Sequence, residues 1–155
     1  MVQNKLLWAI SQQTAAELVF QRADAALPLM GMISYDKKST PSFRKADVSI
    51  AKNYLNEDEI KLLGLLVEQY LAFAETMALQ RTPMYMKDWI DRLDSILQLN
   101  GRELLTHAGK INHEIVLKKS GDEFGKYQLS QKALEKVQSL KELEQDILKL
   151  KRTKK

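Results

Sequence analysis

A chain of 155 residues is one domain's worth of polypeptide, long enough to bury roughly 70% of the surface its unfolded form exposes and to hold a core without covalent staples. It has no cysteine, which excludes disulfides and cysteine-ligated zinc, and its 45% hydrophobic and 28% charged residues are in the balance of an ordinary globular protein. The net charge of +4 belongs to the tail: residues 1–125 carry net −1 and residues 126–155 net +5, so the body lacks the basic balance of a nucleic-acid-binding domain.

With six glycines, three prolines and no sustained strand-like alternation, the chain reads as all-α, a multi-helix bundle. Val2, Leu6, Leu7 and Ile10 predict a short first helix. Thr14-Ala15-Ala16-Glu17 has the form of a capping box and opens a second helix to about Ala26. Residues 28–46 are irregular: two prolines, the polar run Asp36-Lys37-Lys38-Ser39-Thr40, and an apolar run Leu29–Ile33 expected to lie over the core. Asn56, followed by Glu57, Asp58 and Glu59, is the strongest helix start, because a cap residue precedes three carboxylates that the helix dipole favours. That helix runs to about Leu79 with apolar stripes on two sides, which predicts the centre of the fold.

Thr82-Pro83 predicts the next helix start, with Trp89, Ile90, Leu93, Ile96 and Leu97 on its buried face and Asp88, Asp91 and Asp94 on a solvated acidic edge. Trp89 is expected against helix 57–79. Asn100-Gly101 ends the helix. Apolar spacings predict a further helix over 102–119, weakened or broken at Ser120-Gly121, and a last helix from Ser130 to about Lys151. In the last, Leu140, Leu143, Ile147 and Leu150 occupy a and d heptad positions and are the candidate interface. The expected division is a helical domain over 1–128 and a C-terminal helix with basic tail over 129–155. No apolar run approaches the roughly 20 residues of a membrane helix, and the N-terminus lacks a signal-peptide pattern.

Chemistry is sparse. No phosphate loop, nucleophile elbow or cysteine nucleophile is present. His107 and His113 are six apart and share no helix face, so no metal site is expected, nor any cofactor. Three dense islands remain, and they supply the candidate polar site: Asp47, Lys52, Asn53 and Tyr54; Tyr85 and Asp88; His107 and Lys110. The plainer reading of Lys52-Asn53-Tyr54 is buried scaffolding that ties the irregular segment to helix 57–79.

The islands also carry a resemblance. Ala51-Lys52-Asn53-Tyr54-Leu55-Asn56-Glu57, Pro83-Met84-Tyr85-Met86-Lys87-Asp88-Trp89 and Leu105-Thr106-His107-Ala108-Gly109-Lys110-Ile111, with Gln3–Leu6, Thr14–Glu17 and Arg22-Ala23-Asp24, resemble the C-terminal half of the bacterial RhuM family of virulence-associated proteins over residues 3–117. Residues 120–155 depart from that pattern. The resemblance implies no established reaction. It implies that nucleic acid would be engaged only indirectly, through the DNA-binding or phage-related N-terminal half of longer members, which this sequence does not include. The expected function is a non-catalytic interaction or oligomerisation module, cytoplasmic, with a protein partner or a second copy and no membrane. The rival class is a toxin-like transferase using Lys52, Asn53, Tyr85, Asp88, His107 and Lys110. Convergence of those six side chains in one pocket would favour the enzyme.

Overall fold

The computed structural model describes residues 2–35 and 43–153. The polar run Asp36–Thr40 and the side chains of Leu148 and of Leu150 onward lie outside the described residues. The expected all-α class holds: among the described residues there are five α-helices, three short 3₁₀ turns and no strand. The helices are α1 (Val2–Ser11), α2 (Ala15–Arg22), α3 (Glu57–Leu79), α4 (Met86–Leu99) and α5 (His113–Thr153).

Local signals set most boundaries. The capping box at Thr14 forms, with the Thr14 hydroxyl accepting from the Glu17 N–H and the Glu17 carboxylate accepting from the Thr14 N–H. Asn56 and Glu59 make the same reciprocal pair at the start of α3. Helix α2 stops at Arg22 rather than near Ala26, because Ala23 turns extended and the chain enters the 3₁₀ turn Pro28–Gly31. There Leu29 and Met30 adopt left-handed φ of 51° and 57°, a strained conformation held in place by the complete burial of Met30. Gly31, at φ 80°, is required: a Cβ would lie 2.5 Å from the Arg22 carbonyl oxygen. Met30 and Met32 lie in the core as expected of this run, whereas Ile33 is exposed.

Two apolar clusters organise the molecule. The larger packs Leu18 and Val19 of α2, Met30 and Met32 of the irregular segment, Val48, Tyr54 and Leu55 of the turns before α3, and Val116 at the start of α5. The smaller joins α1, α3 and α4 through Ala9, Leu66, Leu93 and Leu97. Helix α3 is therefore not the centre: Leu66 is its one buried residue. It borders α1 and α4; its two apolar stripes are mostly half-buried, and Leu65, Leu71 and Leu79 are exposed. By length and composition alone α3 could also cross a bilayer, which the sequence reading had not credited; the share of its most apolar stretch buried within the fold is 6%.

Three further expectations are corrected. Helix α4 begins at Met86, not at Thr82-Pro83, because the Asp88 carboxylate accepts the Tyr85 N–H at 2.8 Å and sets the first turn there. Residues 102–112 are not helical. Gly109 is left-handed at φ 88°, packed so that a Cβ would meet the Thr14 side chain at 3.0 Å, and the Lys110 N–H is committed to Glu17. The helix starts at His113 instead, where the Asn112 side chain accepts the Ile115 N–H. Ser120-Gly121 then fails to break it. Gly121 costs about 1 kcal/mol of helix propensity relative to alanine, which a 41-residue helix absorbs, and it leaves room for the Lys45 side chain 3.1 Å from where a Cβ would sit. Helix α5 is thus continuous across the division expected at 128/129.

Trp89 packs edge-on against Tyr70 and Phe73 of α3, as expected, and its carbonyl accepts the Tyr70 hydroxyl at 3.0 Å. It is half-buried rather than buried. Trp89→Ala should therefore cost about 1–3 kcal/mol, less than a full core truncation. Urea unfolding should show a clear but incomplete loss of stability; a midpoint equal to wild type would mean that the α3–α4 contact does not depend on the indole.

Candidate functional site

The eight candidate polar residues fall in three separate places. The first is the pair of 3₁₀ turns before α3. Tyr54 is completely buried, its hydroxyl donates to the Val48 carbonyl at 2.7 Å, and burial pushes its phenol well above the ordinary value. The Asn53 side-chain amide donates to the Asp47 carbonyl, and the Asp47 carboxylate accepts the Arg44 N–H. Ser34 donates to the Lys52 and Leu55 carbonyls. These are bonds that hold the irregular segment together, and among the four only the exposed Lys52 side chain is turned outward. The second place is the start of α4, where Asp88 caps the helix and Tyr85 is exposed. The third is the segment before α5. His107 meets Trp8 edge-to-face at 4.6 Å, its Nδ1 accepts the Gly109 N–H, and the Lys110 N–H reaches Glu17.

Glu17 is the residue that sequence reasoning undervalued. Its carboxylate accepts from the Thr14 N–H, the Thr14 hydroxyl and, at 2.8 Å, the Lys110 N–H. Burial pushes its pKa up, but these hydrogen bonds and the nearby His107 outweigh burial, and the net shift is downward. The capping box signalled one of these bonds; nothing local signalled the bond to residue 110. Two ion pairs were likewise not foreseen. Lys5 reaches Asp94 at 2.5 Å, so Asp94 is not part of a solvated edge. Arg22 grips Glu59 with two nitrogens while donating to the Tyr54 carbonyl, which ties α2 to the start of α3. Among the described residues, no group of three or more His, Cys, Asp or Glu is placed to hold a metal ion.

What the fold does expose is apolar. From Leu129 onward α5 leaves the body, and its side chains are almost all exposed. Leu129, Val137, Leu140, Leu143 and Ile147 recur on one face; Leu140 is 53%, Leu143 59% and Ile147 51% exposed. The fourth member of the expected interface, Leu150, has its side chain outside the described residues. A second apolar feature, a groove of about 650 Å³, runs between α1 and α3 with Lys52 at its rim.

The fold is an all-α body carrying a long projecting helix, with Tyr54, Asn53, Asp47 and Asp88 engaged in internal hydrogen bonds. The chain belongs to the Virulence protein RhuM family, whose family model matches residues 1–136. The match extends beyond residue 117, where the resemblance had been expected to end, and includes the first half of α5. No curated protein and no solved structure matches the chain.

Proposed function

We propose that this RhuM-family domain is a non-catalytic interaction and oligomerisation module, with α5 as its self-associating element. The observation that carries the reading is the exposed stripe Leu129–Ile147 on a helix whose outer half touches little of its own body. Isolated helices are unstable in water without a packed apolar face, so a projecting helix of this composition is completed by a partner. The transferase reading lacks support: its six residues fall in three places, and Asp88 and the Asn53 side chain are already engaged in structural hydrogen bonds.

The test is the double substitution Leu143→Asp with Ile147→Asp, which puts two charges into the stripe without touching the body. The wild type should sediment as a dimer at tens of micromolar, and the variant as a monomer with an unchanged urea midpoint for the body. A variant that remains dimeric would remove α5 from the interface.

A further inference from the structure

We propose that the groove between α1 and α3 receives the α5 arm of a second copy of this chain, so that two copies exchange arms about a two-fold axis. The inference rests on the reading of α5 as a self-associating helix and names the surface it engages.

The groove is floored by Leu6, Leu7, Leu63 and Val67, with Gly64 exposed at its centre. A glycine inside a helix costs about 1 kcal/mol relative to alanine. Here the body gives it no reason to be glycine: nothing stands within 4 Å of where its Cβ would be. The missing side chain instead lets a helix from outside approach the α3 backbone closely. One turn beyond Val67 the apolar face continues as Leu71, which is 60% exposed.

Charge selects the occupant. Glu57, Glu68 and Glu75 recur at helical spacing along the open edge of this α3 face, against two cations at the groove, Lys61 on α3 and Lys52 at the rim. On α5, Lys132 flanks the apolar stripe and Lys136 sits within it, while Glu135, Glu142 and Asp146 fall away from it; of the arm's acids only Glu144 shares the stripe's face. A lysine-edged stripe thus faces an acid-edged groove. Pairing α5 with α5 is less favourable, because Lys136 would occupy a seam position and the lysine edges would meet one another. The dimensions also agree: the apolar α3 face from Ile60 to Leu71 spans roughly 17 Å and the α5 stripe from Val137 to Ile147 roughly 15 Å at 1.5 Å per residue. Helix α5 is unbroken, so its outer half cannot turn back onto its own body, and the arm in the groove comes from another copy. A two-fold axis then makes two identical helix-in-groove contacts, each an amphipathic helix laid in an apolar channel.

The absence of cysteine allows a direct test. A tagged copy carrying Gly64→Cys is mixed with untagged copies carrying Leu140→Cys, Leu143→Cys or Ile147→Cys, each in turn, under mild oxidation. At least one mixture should give a disulfide between tagged and untagged chains. Separately, Gly64→Phe fills the groove and should weaken dimerisation by about tenfold or more while leaving the unfolding midpoint of the body unchanged. If the cysteine variants dimerise but give disulfides only between two α5 cysteines, or if the dimer tolerates Gly64→Phe, the groove is overturned while self-association through α5 stands. A wild type that is monomeric overturns both.

Discussion

Tyr54→Ala is expected to destabilise the domain by about 3–5 kcal/mol, a large share of the 5–15 kcal/mol that typically holds a domain together. Tyr54 is the largest of the completely buried side chains and belongs to the main core with Leu18, Met32 and Leu55. Its hydroxyl satisfies the Val48 carbonyl, and its own carbonyl accepts from Arg22, so this residue joins the irregular segment to α2. Truncation leaves both a cavity and an unpaired carbonyl. Tyr54→Phe separates the two effects: it keeps the packing and strands only the Val48 oxygen, at about 1–3 kcal/mol. Urea unfolding of the two variants should rank them in that order. An alanine variant with the wild-type midpoint would mean that the segment before α3 is not part of the cooperative core.

Glu17→Ala should be nearly as damaging, at about 3 kcal/mol, because it strands the Thr14 N–H, the Thr14 hydroxyl and the Lys110 N–H. The same carboxylate makes stability depend on pH. Its folded pKa lies below the ordinary 4.5, so the native state binds fewer protons than the unfolded state as the carboxyl titrates. Its contribution is therefore fully present above about pH 4.5 and is lost as pH falls through the lower folded value. Glu59 behaves alike: the hydrogen bond from Arg22 lowers its pKa against an opposing effect of burial, and the Asn56 N–H and the Arg22 charge lower it further. Wild-type stability should be flat above that pH on account of these two groups and should fall in acid. Glu17→Ala should show a shallower acid loss from its lower starting point. An acid limb of unchanged slope would assign the dependence to other carboxylates.

Where local chemistry decides structure, the sequence was readable. The capping pairs Thr14–Glu17 and Asn56–Glu59 form as read, α3 ends where expected, and Asn100-Gly101 stops α4, with Gly101 at φ 68°. The larger misreadings share a cause, that distant partners outvote local pattern. Leu104, Leu105, Ala108 and Ile111 have helical spacing, yet Gly109 against Thr14 and Lys110 on Glu17 hold their segment open. Asp94 lies beside charged and polar neighbours in sequence, yet Lys5, 89 residues away, takes it out of the solvated edge. The candidate polar residues are unusual in sequence, and four of them serve as scaffolding: Tyr54, Asn53 and Asp47 tie turns together, and Asp88 caps a helix. The exposure of the α5 stripe follows from its register and was legible. The exposure of α3 was not, because two apolar sides are as consistent with a central helix as with one that keeps a face for a partner.

The most direct test of self-association is sedimentation equilibrium of the unmodified chain across a range from about one to tens of micromolar. If the α5 arm meets a second copy, the weight-average mass should rise with concentration from near 17.8 kDa toward twice that value, and the Leu143→Asp, Ile147→Asp variant should stay at the lower one. A wild-type mass that remains at the monomer value throughout would contradict the reading and leave the α5 stripe to a partner of a different kind.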